Sequence, residues 1–158
     1  MKIANKLFSQ TLPVVIFAII FASNAYANEV VGVWKTVDDK TLKVRSLIEL
    51  RVENEKLFGK IIKVFPQPGQ PKNPTCEMCK GELHNAPIVE LQIINGLSLA
   101  DDVWKDSTIL DPDNGKTYNC RIWLEGDVLK VRGYIGFFYR TQEWLKYEII
   151  QSDNDLGK

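Results

Sequence analysis

Histidine is almost missing from this chain: His84 is the only one in 158 residues. Cysteine is scarce, with three, and neither sign of charge prevails, since 20 basic residues stand against 20 acidic ones. So little histidine leaves scant material for proton transfer or for a Cys-His nucleophile, both of which need a base held within reach of its partner. The even charge gives no overall electrostatic footprint for nucleic acid or anionic lipid. No apolar run reaches the roughly 20 residues that cross a bilayer as a helix. Internal repeats and low-complexity segments are absent as well.

What is present begins with an address. Lys2 and Lys6 lead into an apolar run from Leu12 to Ala22, and Ala25-Tyr26-Ala27 supplies the small-x-small site of a signal peptidase. Residues 1–27 are therefore expected to be a signal peptide cleaved after Ala27, with a mature domain over 28–158 that is periplasmic or secreted. The apolar run is too short for stable membrane insertion, and no cysteine follows the cleavage site to carry a lipid anchor. Removing 27 residues from 158 leaves 131, the size of one domain. The leader takes two lysines and no acid with it, so the mature net charge is near −2.

Nearly every later segment alternates with period two and stops at a turn signal. Val44, Ser46, Ile48, Leu50 and Val52 share one face, and Arg45, Glu49, Arg51 and Glu53 the other, as in a half-buried strand. A turn at Asn54-Glu55-Lys56 returns the chain through Leu57 to Phe65. Further strands are expected at Val31 to Thr36, Ile88 to Asn95, Ser107 to Leu110, Thr117 to Leu124, Val128 to Ile135, Phe137 to Thr141 and Trp144 to Ile149. Asp111-Pro112-Asp113-Asn114-Gly115 and Glu125-Gly126-Asp127 read as hairpin turns. The fold class is all-β: one antiparallel up-and-down barrel of about eight to nine strands, because closure removes the edges. Gly96 to Lys105 reads as a polar interruption with room for a helical turn.

From Pro66 to Pro87 the chain holds five of the six mature prolines, together with Cys76, Cys79 and His84, and no period. Such a length marks a functional surface loop. In an exported protein Cys76 and Cys79 are expected to form a disulfide that pins this loop. A metal or thiol site built on Cys76, Cys79 and His84, completed by Cys120 or Glu82, is the sharper alternative. Cys120 alternates with Tyr118, Ile122 and Leu124, which makes it a buried, inert thiol. Asp111-x-Asp113-x-Gly115 resembles the start of a calcium loop but lacks the closing glutamate, so it reads as a turn. The Asp101-Asp102 pair reads as a solvated loop face. No metal and no cofactor are expected.

Large rings are abundant for the size: four tryptophans, five tyrosines and seven phenylalanines. They serve as core packing or as the lining of an apolar cavity, and alternation alone does not choose the inward face. The candidate interior set is Trp34, Phe58, Lys60, Trp123, Arg132, Tyr134 and Phe138, with Lys60 and Arg132 to orient a bound molecule. The expected function is non-catalytic binding of a small apolar or amphipathic molecule. The alternative is an envelope protein-interaction module with a filled barrel.

Gly32-Val33-Trp34 resembles the Gly-x-Trp signature of the lipocalin and calycin barrels. In those families the tryptophan closes the barrel floor and meets a basic side chain, a part that Arg140 or Lys146 would take here. Further blocks follow in order: Leu57-Phe58-Gly59-Lys60-Ile61, the Cys76/Cys79 loop, Ile109-Leu110-Asp111-Pro112, Asn114-Gly115-Lys116-Thr117-Tyr118, Leu129 to Gly136, and Arg140-Thr141-Gln142-x-Trp144. Together they resemble a bacterial exported family, that of domain of unknown function 2147. The family often ends its last strand with Trp-x-Arg, where this chain has Trp144-Leu145-Lys146. The resemblance implies a lipocalin-like barrel with a ligand-binding role and implies no catalytic set.

Overall fold

Consecutive hairpins leave two unpaired edges unless the first strand meets the last. In the computed structural model, which describes residues 29–38 and 40–148, they do meet, and the sheet is a closed antiparallel barrel in chain order. The strands are β1 (Gly32–Val37), β2 (Val44–Glu53), β3 (Lys56–Val64), β4 (Gln92–Ala100), β5 (Val103–Asp111), β6 (Lys116–Glu125), β7 (Val128–Ile135) and β8 (Phe138–Lys146). The expected signal peptide and its cleavage after Ala27 lie outside the described residues. Among the described residues no helix is long and apolar enough to cross a membrane.

The count is eight because the two expected strands after Gly136 are one. Gln142 and Glu143 continue the ladder opposite Val131 and Lys130, so β8 runs unbroken through Trp144. The expected interruption at Gly96 to Lys105 is instead a tight hairpin. β4 continues to Ala100, which pairs with Val103 across Asp101 and Asp102. Both aspartates adopt left-handed backbone, with φ of 53° and 58°, as a two-residue hairpin turn requires. Alternation fails here because bulges displace it: Asp106 has φ 66°, and the β5–β6 register shifts between Trp104 and Ser107. β4 likewise starts at Gln92 rather than Ile88, since Leu91 N–H turns back to the Ile88 carbonyl at 3.2 Å.

The closed end is filled. Trp34, Leu50, Leu57, Leu97, Trp104, Ile122 and Leu129 are all buried, and the even-to-odd connections beneath them are short. Gly59 makes this packing possible. A Cβ there would stand 2.8 Å from Ile94 Cδ1 and 2.9 Å from Leu50 Cδ2, so its absence leaves room over β3 for the side chains of its neighbours on β2 and β4. Trp34 is 1% exposed, and its indole N–H donates to the Val30 carbonyl at 2.8 Å. Lys146 Nζ lies 5.5 Å from the Trp34 ring centroid. Lys146 is thus the basic side chain at the floor, while Arg140 belongs to the other end.

Cys120 is buried on the inward face of β6, and burial pushes its thiol up from 9.0 to about 12. An acid so raised keeps its proton where the unfolded chain has lost it, so stability falls as pH rises from 9.0 toward 12.

Trp34→Ala should cost about 3–5 kcal/mol, through lost burial and the cavity left behind; the denaturant midpoint of the variant measures it, and a curve matching wild type would remove the floor assignment. A thiol reagent at pH 8 should leave native Cys120 unmodified and react with it once the chain is unfolded. Over the alkaline window above, wild type should lose stability relative to Cys120→Ala, by at most about 1.4 kcal/mol per pH unit.

Candidate functional site

The seam that closes the barrel is short. β1 meets β8 through the pairs Trp34–Lys146 and Lys35–Leu145, near the floor. Above that level β1 and β8 form no further pair, and Thr36, Val37, Arg140 and Gln142 line a cavity of about 700 Å³. Its walls are apolar: Ile48, Ile61, Ile93, Ile109 and Val131, with Trp144 at the base. Gly133 contributes wall without side chain, and a Cβ there would meet Tyr118 Cβ at an ordinary 3.5 Å.

Polar groups gather toward the mouth. The Thr36 and Ser46 hydroxyls are 2.7 Å apart, and Gln142 Oε1 accepts from the Trp144 indole at 3.2 Å. Asn114 Nδ2 donates to Tyr118 Oη at 2.9 Å and to Asp111 Oδ2 at 2.8 Å. At the outer rim Arg45 pairs with Asp113 at 2.9 Å. The Asp111 carboxylate also accepts from the Asp113 backbone at 3.0 Å. It therefore builds the β5–β6 turn expected of this segment.

The proline-rich loop folds onto this turn. Thr75 and Pro87 form an isolated bridge at its base, and Cys76 and Cys79 are joined in a disulfide with Cα atoms 5.3 Å apart. Cys76 N–H donates to the Ala86 carbonyl at 2.8 Å, and Asn85 N–H to the Cys76 carbonyl at 3.0 Å. Pro74, Thr75, Met78 and Ile88 reach the cavity. Gly115 is what allows the loop to settle: it has φ 66°, and a Cβ would fall 1.9 Å from the Met78 carbonyl oxygen. Both paired thiols are consumed by the disulfide, and His84 Nδ1 lies 3.2 Å from the Cys79 carbonyl oxygen. Among the described residues no group of three or more His, Cys, Asp or Glu is arranged to hold a metal ion.

Of the seven side chains expected inside, Phe138 lines the cavity at its rim, and Trp34 lies below it in the floor. The other five correct the expectation, because the pleat turns them outward. Leu57, Gly59 and Ile61 are buried along β3, which sends Phe58 and Lys60 outside; Arg51 lies 6.0 Å from the Phe58 ring, and Lys60 pairs with Glu90 at 2.6 Å. Leu129 and Val131 are buried along β7, so Arg132 and Tyr134 point out. Arg132 lies between two outer rings, 4.9 Å from Trp123 and 4.4 Å from Tyr139. The Trp123 indole donates to Glu125 at 2.8 Å and holds that carboxyl below the usual range.

The lining that sequence reasoning missed includes Ile61, Ile109, Tyr118, Val131, Gly133 and Gln142. A signal for part of it existed. Tyr118 shares its face with Cys120 and Ile122, and a cavity wall lies on the most apolar face, not the one with the largest rings.

A solved structure of a protein from the human pathogen Helicobacter pylori, described as belonging to the lipocalin family, is similar with a TM-score of 0.62 and 18% identity, covering 75% of this chain and 82% of that one. At that identity the likeness shows the fold: a lipocalin-like barrel. Comparison with curated proteins gave no match. Residues 32–146, which span all eight strands, match the family described as an uncharacterized protein conserved in bacteria. The chain belongs to that bacterial family, domain of unknown function 2147.

Proposed function

We propose that the barrel binds one small apolar or amphipathic molecule in its open upper half, without catalysing a reaction, in the bacterial periplasm or outside the cell. The observation that carries this is the volume. About 700 Å³ falls within the roughly 300–1,000 Å³ of small-molecule sites, and apolar walls with a few polar groups are what such sites present. The apolar part of the ligand lies against Ile48, Ile61, Val131 and Trp144, and its polar part meets Gln142, Tyr118 and Arg140 near the mouth. The Cys76–Cys79 loop serves as the rim and lid. A filled-barrel interaction module would need an interior without such space. Export accords with the leader pattern of residues 1–27 and with the disulfide.

A fluorescent fatty-acid analogue should bind saturably at micromolar concentration and be displaced by detergents. Gly133→Leu, which places a side chain in the void without a left-handed backbone to strain, should weaken that binding about tenfold or more and leave the melting temperature at or above wild type. Trp123→Ala, on the outer face, should bind as wild type does. Absence of saturable binding, or equal affinity in Gly133→Leu, would overturn the proposal.

A further inference from the structure

The β7–β8 turn carries a cluster that the fold does not require. Ile135 pairs with Phe138 across Gly136 and Phe137, and Gly136 at φ 55° satisfies the turn. Nothing in turn chemistry asks for a phenyl ring next to it. Yet Phe137 is fully exposed, Phe138 is 82% exposed, and Ile135 and Tyr139 are more than half exposed. Single exposed apolar residues are ordinary, but a contiguous apolar patch marks a contact.

The balanced total charge hides a local asymmetry around this tip. Arg132 stacks on Tyr139, and Arg121 lies 5.5 Å from the Tyr134 ring. Arg140 follows Tyr139 on the same strand. The acid in the groove beside Gly136, Asp106, shares it with Lys105 and Arg121; on the cavity side Asp113 is paired with Arg45, Asp111 is held by Asn114 and its own turn, and Glu77 stands on the proline-rich loop. The patch is small. Three rings at about 150–250 Å² each fall short of the roughly 800 Å² per partner of a stable protein interface. Rings projecting from a turn with cations behind them fit the headgroup layer of an anionic bilayer, where aromatic side chains gather and basic ones are attracted.

We propose that the β7–β8 tip is a membrane-docking wedge: Phe137, Phe138 and Tyr139 enter the interfacial layer of an anionic phospholipid surface while Arg121 and Arg132 face its headgroups. Phe138 and Ile135 also line the cavity, so docking brings the mouth to the lipid. The proposal goes beyond the ligand reading and does not depend on what the cavity holds.

The test is co-sedimentation of the mature protein with vesicles of phosphatidylcholine, with and without phosphatidylglycerol, and no added ligand. Wild type should pellet with the mixed vesicles and much less with phosphatidylcholine alone. Phe137→Ser should lower that partition about tenfold. Its ring lies outside the cavity lining, so its melting temperature and fatty-acid-analogue affinity should match wild type, which separates failure of the wedge from failure of the binding site. Phe137→Trp should be quenched by brominated lipid. No pelleting with mixed vesicles, unchanged partition in Phe137→Ser, or concentration-dependent self-association through the tip without vesicles would each overturn the proposal.

Discussion

The short clasp between first and last strands decides the character of this molecule. Two register pairs, Trp34–Lys146 and Lys35–Leu145, close the cylinder, and Tyr147 N–H adds one backbone bond to the Val33 carbonyl at 2.8 Å. β7 and β8, by contrast, pair from Val128–Leu145 to Ile135–Phe138. A ladder that zips only at the floor holds the lower half at a diameter its side chains can fill. It leaves the upper half to splay. Filled floor and open mouth are thus two consequences of one partial closure, and the indole of Trp34, packed under Lys146 and bonded to Val30, secures the zipped part.

Side-chain volume is distributed to match. Below, three buried tryptophans, Trp34, Trp104 and Trp144, and a set of leucines leave so little space that Gly59 must give up its side chain for Leu50 and Ile94. Above, isoleucine and valine line the walls and Gly133 adds nothing. A glycine opposite crowded methyls relieves crowding. A glycine on the cavity wall, where a Cβ would make only ordinary contact with Tyr118, leaves the space beyond it open. The same residue type therefore has opposite uses at the two ends of one barrel.

Much of the fold was legible because β2, β3, β6 and β7 alternate over most of their length, one register shift beside Leu47 and Ile48 apart, and end in recognisable turns. β4 and β5 were legible only in part, at 92–95 and 107–110, since a left-handed Asp106 and the glycine at 96 insert bulges, and each bulge shifts the apolar set against a period-two template. The site was less legible still. Ring size drew attention to Trp123 and Tyr134, whose burial comes from stacking with Arg132 and Arg121 on the outer wall. Isoleucine and valine at matching register carry no chemistry of their own. They become a site only when closure brings strands distant in sequence around one void.

The two ends also differ in what their connections must accomplish. At the floor, Glu53 pairs with Lys56, Ala100 with Val103 and Glu125 with Val128. These are two-residue turns built on left-handed Asn54, Glu55, Asp101, Asp102 and Gly126, and closure explains every residue in them. At the mouth the connections carry more than joining requires, in length or in side chain. One is a disulfide-bonded loop from Phe65 to Leu91 resting on Gly115, and another is a two-residue turn tipped by Phe137. A scaffold needs its strands joined and nothing more, so residues in excess of joining are the residues free to serve binding. That excess is concentrated at the end where the barrel is open.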